Sequence, residues 1–218
     1  ESHLSGEALR YGENPHQKGY FYGNINEVFD ILNGKQLSYN NLVDIDAAVH
    51  LMEEFREPTF AILKHTNACG VASRNAILEA WKAALAGDPV SAFGGVLIAN
   101  AAIDIETATE IDKLFFEVLI APAFNEDALQ VLMKKKNRIL LKQKQFTFPE
   151  KQFKSLLNGV IAQDFDYKIE QKEDLKTVTK IAPSETQIDD LLFANKIAKH
   201  LKSNTIVLAK NKQLLSMG

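Results

Sequence analysis

The apolar positions of NLVDIDAAVHLMEEFREP fall at Leu42, Ile45, Val49, Met52 and Phe55, near helical spacing, and Pro58 ends the run. Residues three and four apart share a helix face, so the segment predicts an amphipathic helix. TFAILKH, residues 59–65, opens on an unbroken apolar run too short for a typical helix and predicts a buried strand. Asn67 to Ser73 reads as a turn, and RNAILEAWKAALAGDP as a helix closed by Gly87 with Pro89 beyond it. The alternation then repeats: GGVLIAN as a strand, DIETATEIDKLFFE as a helix with Asp104 and Glu106 suited to its first turn, VLIAPA as a strand, EDALQVLMKKK as a helix and NRILLK as a strand. Strands alternating with helices of about three turns predict a layered α/β sheet, largely parallel.

The flanks follow other patterns. Residues 1–41 are rich in turn formers, Gly12, Asn14, Pro15 and Asn33-Gly34 among them, with GYFYG and VFDIL as short strands. Residues 142–158, rich in Lys, Gln and Phe, read as an excursion, and GVIAQDFDY and LKTVTKIAP as strands with Pro183 as a boundary. Ser184 precedes a long helical pattern with Leu191, Leu192, Ile197 and Leu201 as candidate core positions. TIVLAKN is a strand arriving as the chain ends, which predicts a sheet truncated there or completed from outside. The expected division is an arm at 1–41, an α/β subdomain at 42–183, and an incomplete second subdomain beginning at 184–218.

Composition narrows the function classes. The 218 residues are 46% apolar and 24% charged, ordinary for a globular protein with a real core. A net charge of -3 leaves no polybasic footprint, which argues against a duplex nucleic-acid binder or a membrane-surface protein but not against a local basic pocket for a small anion. Cys69 is the one cysteine, so there is no internal disulfide and no thiolate-rich zinc site, in keeping with a reducing cytosol. No apolar stretch approaches the ~20 residues of a membrane span. ESHLSGEALR lacks the apolar core of a secretory signal. A soluble, cytoplasmic protein is expected, and a start on Glu1 predicts a processed product or an excised piece.

The chemistry centres on Lys64-His65, where the run FAIL stops. An arbitrary Lys-His pair is most simply a snorkelling lysine beside a satisfied imidazole. Position argues for more, because ligands of α/β sheets gather at the carboxyl ends of strands. Side chains alternate along a strand, so the two share a pocket only if the backbone leaves strand geometry near His65, a departure that Asn67 and Gly70 favour. The neighbouring ammonium disfavours a second positive charge on His65. A neutral imidazole serves as a general base and a fixed lysine cation serves a developing oxyanion.

Other segments offer binding groups. The glycines of SAFGGVLIAN serve a tight turn or a close ligand approach, and without a following GK[ST] they are no phosphate loop. In RYGENPHQ, Arg10 offers a planar fork for phosphate and Tyr11 a donor or stacking face, unless the stretch is only a structured arm. SYNN, ending at Asn41, and KSN, ending at Asn204, carry amides able to read a polar heterocycle, and both suit turns and caps equally.

Taken in order, RYGENPHQ, LSYNNLVDIDAA, ILKHTNACGVAS, GDPVSAFGGVLIAN, EVLIAPAF, KKKNRIL and KSNTIVLAKN closely resemble the transformylase portion of the PurH family, bifunctional enzymes that combine aminoimidazole carboxamide ribonucleotide (AICAR) formyltransferase with inosine monophosphate (IMP) cyclohydrolase. The match runs from about residue 8 to the C-terminus and is weakest across 142–155. The resemblance implies a three-layer, cytidine deaminase-like α/β unit. It implies formyl transfer from 10-formyltetrahydrofolate, a co-substrate, to the AICAR amine in de novo IMP synthesis, with no metal required. His65 matches the family's general base, Lys64 the adjacent lysine, and Arg10 and Tyr11 the nucleotide-contacting pair. Asn41, Gly94 and Asn204 match further substrate positions, Phe93 lies beside them, and Glu117 falls where some relatives carry Asp. AICAR and folate would be the partners, neither nucleic acid nor membrane, and the full-length protein a homodimer.

There are departures from the family pattern. Ala68 stands where the family commonly has Pro, which would loosen the turn. A cyclohydrolase domain would precede residue 1, and a second transformylase subdomain would follow TIVLAKN. A catalytically incomplete nucleotide-binding or assembly module is therefore the alternative, with a folate-independent formyltransferase behind it. A zinc deaminase is disfavoured by the single cysteine and the lack of H-x-E followed by P-C-x-x-C.

Overall fold

The computed structural model describes residues 6–218, so the first five residues of the expected arm lie outside the described residues. Two short strands, β1 (Glu7–Ala8) and β2 (Tyr20–Phe21), pair antiparallel ahead of β3 (Phe29–Asn33). Helix α1 (Tyr39–Met52) opens on a reciprocal cap: the Ser38 hydroxyl accepts the Asn41 N–H while the Asn41 side chain accepts the Ser38 N–H. Two of the unpaired N–H groups at the helix start are satisfied in this way. There follow β4 (Thr59–Lys64), β5 (Asn67–Ser73), α2 (Ile77–Gly87), β6 (Val96–Ala99), α3 (Ile105–Ile111), β7 (Val118–Ala121), α4 (Glu126–Leu132) and β8 (Ile139–Gln143).

Six of these strands make one sheet in the order β3-β8-β7-β6-β4-β5. Only β6, β7 and β8 run parallel, and every other pairing is antiparallel. The sheet is therefore mixed, not largely parallel, and the main reason lies at residues 67–73. That stretch is a strand rather than a turn: the chain reverses within His65 and Thr66 and pairs back on β4, with Lys64 opposite Asn67. A two-residue connection permits only an antiparallel partner, whereas a parallel one needs a long crossover. Ala68, Gly70 and Ala72 are small enough to hide the strand from an apolar pattern. Gly70 is required where it stands, because a Cβ there would lie 2.2 Å from the Ala84 carbonyl oxygen of α2.

Alternate residues of each strand feed two separate cores, which is why the strands read as unbroken apolar runs. On one face Ala61, Leu63, Ile98, Ile120 and Leu141 pack with Ile45, Val49 and Met52 of α1 and with Phe55. On the other Phe60, Ile62, Leu97, Leu119 and Leu140 pack against Trp81, Ile111 and Leu132 of α2, α3 and α4. The result is three layers, helix on sheet on helix.

Beyond β8 the chain leaves the sheet. Strand β9 (Lys151–Leu156), inside the expected excursion, and β10 (Gly159–Asp164), where GVIAQDFDY reads as a strand, form an exposed antiparallel hairpin. Residues 175–183 are not a strand: a short 3-10 turn at Lys172–Asp174 leads into irregular chain. Helix α5 (Glu185–Lys199), capped by Ser184 and Gln187, sets Phe193 and Ile197 into the first core. Leu191, expected there, is 52% exposed, because α5 covers only the edge of that core and the stripe is centred two residues further on. The strand expected near the chain's end, β11 (Val207–Ala209), pairs antiparallel with β12 (Leu214–Met217), and this hairpin meets the main sheet through a bridge from Gln213 to Ala72.

Candidate functional site

Lys64 is the last residue of β4, and β4 runs antiparallel to β6 with Leu63 opposite Val96. The carboxyl end of β4 therefore meets the amino ends of β6, β7 and β8. The expectation that the pair would sit at the carboxyl ends of a parallel sheet is corrected in this respect: the clustering is real, but on the opposite edge of the parallel strands.

The backbone leaves strand geometry where the pair needs it to. His65 has φ 52° and Thr66 φ 66°, both left-handed, so the alternation that would separate neighbouring side chains is broken. Lys64 and His65 line one cavity of about 490 Å³ together with Asn67, Ala68, Cys69, Asp88 and Ser91. The Lys64 ammonium donates to the Phe93 carbonyl at 2.9 Å, and its remaining N–H donors can serve a ligand. Ala68, in place of a proline, is buried within β5 opposite Leu63. Burial, with the nearby Asp88 charge, pushes the Cys69 thiol up to about 11 against the opposing pull of Lys64, so the cavity's one thiol stays protonated near neutrality and is a poor nucleophile.

Hydrogen bonds extend from Phe93 into the rest of the predicted set. Gly94 takes φ +73°, which a glycine adopts without penalty, and its N–H donates to the Phe115 carbonyl at 2.8 Å. The Glu117 N–H in turn donates to the Gly95 carbonyl at 3.0 Å. The Glu117 carboxylate accepts from Asn41 Nδ2 at 2.9 Å and lies 3.6 Å from the Lys35 ammonium. Asn41 thus does two jobs, capping α1 through its Oδ1 and reaching Glu117 through its amide nitrogen. The arm docks on the same helix start: the Arg10 N–H donates to the Leu37 carbonyl and the Tyr39 N–H to the Tyr11 carbonyl, both at 3.3 Å. Arg10 Nη2 donates to the Tyr11 hydroxyl at 2.9 Å with the guanidinium exposed. Eight of the nine sequence-predicted residues, Arg10, Tyr11, Asn41, Lys64, His65, Phe93, Gly94 and Glu117, are thereby linked by hydrogen bonds or chain adjacency at one end of the sheet. Asn204 is not among them. It lies exposed between α5 and β11 and shares no hydrogen bond with the other eight among the described residues.

Three residues at this end escaped the sequence reading. Asp44 accepts the Thr66 N–H at 2.7 Å, and its position between Leu42 and Ile45, a carboxylate beside the apolar stripe of α1, was the available signal. Lys35 comes from a turn and carried no pattern. Phe115 forms an exposed aromatic pair with Phe93, ring centroids 5.0 Å apart, at the rim. Two clefts elsewhere are larger, about 720 and 730 Å³, the first between α1, the β9–β10 hairpin and α5 and the second near the carboxyl ends of β6, β7 and β8. The smaller cavity carries more weight because the cation and imidazole that line it, Lys64 and His65, are themselves members of the bonded chain just described. Among the described residues no group of three or more His, Cys, Asp or Glu is placed to hold a metal ion. No helix among them is long and apolar enough to cross a membrane.

The comparisons with known proteins agree on one family. The sequence model of the AICARFT/IMPCHase bienzyme matches residues 2–218. The bifunctional purine biosynthesis protein PurH of Bacteroides thetaiotaomicron is 63% identical over 210 residues, covering 96% of this chain and 41% of the relative. Its namesakes from Chlorobium phaeobacteroides (strain BS1) and Ruminiclostridium cellulolyticum are 48% and 45% identical, again over 96% of this chain, and over 42% and 43% of their own lengths. The chain spans about two fifths of the length of the curated relatives it matches. A family model matching nearly every residue, and relatives at this identity, place the chain in the AICARFT/IMPCHase bienzyme family.

Proposed function

We propose that this chain is part of the transformylase region of a bifunctional purine biosynthesis enzyme, contributing to formyl transfer from 10-formyltetrahydrofolate to AICAR. The observation that carries the reading is the shared cavity of Lys64 and His65, with the lysine tethered beside Gly94. The AICAR amine is a weak nucleophile because its lone pair is delocalised into the ring and carboxamide. As its nitrogen attacks the formyl carbon, His65 accepts the amine proton and the Lys64 ammonium faces the carbonyl oxygen as it gains charge. Collapse of the tetrahedral intermediate breaks the bond from the formyl carbon to folate N10, which leaves with a proton. No step in this scheme requires a metal.

Arg10, with exposed N–H donors, suits the nucleotide phosphate, and Tyr11 lies beside it. Asn41, Glu117 and Gly94 line the substrate, and Phe93 with Phe115 presents an aromatic face to a planar ring system. Asn204 belongs to the same site only if the rest of the protein, or a second copy, brings it there. The reading includes a cytidine deaminase-like fold, a cytoplasmic homodimer of the full-length protein, and a boundary near residue 183 where a second subdomain begins.

The share of the relatives that this chain covers favours one second reading, an incomplete nucleotide-binding or assembly module. Formyl transfer by the purified full-length protein, read as formyl-AICAR production from the two substrates, tests the first reading, and absence of turnover contradicts it. Calorimetry with AICAR on residues 1–218, followed by the same assay, separates the two: binding without turnover favours the module, and turnover refutes it.

A further inference from the structure

The β4–β5 reversal is unusual for its chemistry. A two-residue hairpin with positive φ at both positions is ordinarily made by Asn-Gly or Asp-Gly. Here it is made by His65 and Thr66. Left-handed geometry is disfavoured for a residue with a Cβ, and for a β-branched residue such as threonine it is a genuine outlier. Such conformations persist only where the surroundings impose them, and they collect at functional sites.

Three hydrogen bonds bear on the turn. The Thr66 hydroxyl and Asn67 Nδ2 both donate to the His65 carbonyl, at 2.6 and 3.1 Å, and both come from the hairpin itself. The third comes from outside: Asp44 Oδ1 on α1 accepts the Thr66 N–H at 2.7 Å. Helix α1 is the element whose start holds Asn41 and, through it, Glu117. Asp44 therefore ties the hairpin that carries His65 to the helix whose start holds Asn41 and, through it, Glu117. Keeping a carboxylate there is costly. Burial pushes the Asp44 carboxyl above its usual range, the Thr66 N–H and the nearby His65 pull against this, and the Glu117 charge adds to the rise.

We infer that Asp44 is the positioning residue for His65: by accepting the Thr66 N–H it holds the two-residue reversal in its left-handed form and so aims the imidazole into the cavity that Lys64 lines. The role in turnover rests on the formyl-transfer reading; the conformational role does not. The full-length protein carrying Asp44→Ala, Asp44→Asn, or Asp44→Ala with Thr66→Gly separates the two, each variant being crystallised and assayed. Asp44→Ala is expected to release the positive φ at Thr66 and to lower kcat by about 10²-fold with KM for AICAR unchanged, the scale of a misplaced catalytic group. Asp44→Asn, which keeps a carbonyl acceptor, should retain the turn and most of kcat. Thr66→Gly should rescue the alanine variant, because glycine adopts the turn without a tether. An unaltered turn in Asp44→Ala overturns the inference even if the wild-type protein transfers no formyl group. A released turn with wild-type kcat, or equal losses in the alanine and asparagine variants without glycine rescue, overturns it as well. Wild-type protein without formyl transfer contradicts the proposed function alone, and the crystal structures still decide the role of Asp44.

Discussion

The two ends of the six-stranded sheet are built from the same strands but store different things. At the Lys64 end β4 reverses into β5 within two residues, and Gly34, His65, Thr66 and Gly94 all take positive φ. At the other end, where β6, β7 and β8 finish, positive φ is found at Asn211 and Lys212, in the turn that docks on β5 as the Lys212 carbonyl accepts the Ser73 N–H at 3.0 Å. That end is also closed by relaxed hydrogen bonds: Asn100 accepts the Thr59 N–H at 2.8 Å and donates to the Phe55 and Glu57 carbonyls, and the Thr59 and Ser73 hydroxyls pair at 2.7 Å. Left-handed backbone occurs at both ends, but at the Lys64 end it comes with a cation, an imidazole and two carboxylates, whereas at the other the carbonyls of Asn211 and Lys212 are taken up by Arg74 and Ser73. A cleft of about 730 Å³ lies at this end, larger than the one that Lys64 and His65 line.

The contrast can be broken from either side. The largest effect is expected from Lys64→Met in the full-length protein, a fall in kcat of about 10²–10³-fold, the usual scale for removing an oxyanion partner, with the unfolding midpoint little changed. Gly70→Ala comes next. Its Cβ would meet the Ala84 carbonyl at 2.2 Å, so denaturant unfolding should show a loss of about 3 kcal/mol, the upper range for overpacking against backbone.

Lys199→Met probes a point away from both ends, where buried Glu54 joins α1 to α5 by accepting from Lys199 and His200 at 2.9 Å. A loss of about 2 kcal/mol is expected from removing a hydrogen bond to a charged group. The pH dependence has a definite sign. Burial pushes the Glu54 carboxyl up, but hydrogen bonds from His200 and Lys199, and then their charges, outweigh it and hold the carboxyl below its usual range. Its contribution is present above the ordinary carboxylate pKa and is lost as pH falls through the depressed value, so Glu54→Gln should flatten the acid limb of the stability curve. Asp44, raised rather than lowered, acts in the opposite sense: its ionisation costs stability, and acid relieves that cost. The smallest effect is expected from Asn100→Ala, about 1 kcal/mol of stability with kcat unchanged, since it loosens only the relaxed end.

Much of the three-layer unit was legible because each central strand is buried on both faces and each helix on one. Periodicity located β4, β6, β7 and β8 and the helices between them within a few residues. It missed β5, whose small residues carry no apolar pattern, and with it the direction of the sheet, since hydrophobic period says nothing about strand orientation. It also drew 175–183 as a strand, where apolar residues alternate with lysine and threonine but nothing covers them: Val178 and Ile181 are more than four-fifths exposed. At the site, Lys64 and His65 were visible as an anomaly at a strand end, Arg10, Tyr11 and Asn41 as binding groups by residue type, and the family resemblance supplied Glu117. Asp44 was not legible, because its partner is a backbone N–H twenty-two positions away, exposed by a turn that the residue types disfavour. Asn204 shows the converse limit, a residue named by resemblance that the described chain leaves apart from the rest.

The most direct measurement is single-turnover formyl transfer by the full-length protein carrying His65→Ala, alongside calorimetric titration with AICAR. The account predicts a rate lowered by about 10²–10⁴-fold, the range for loss of a general base, with AICAR affinity retained. A rate within error of wild type, at the same affinity, would contradict it.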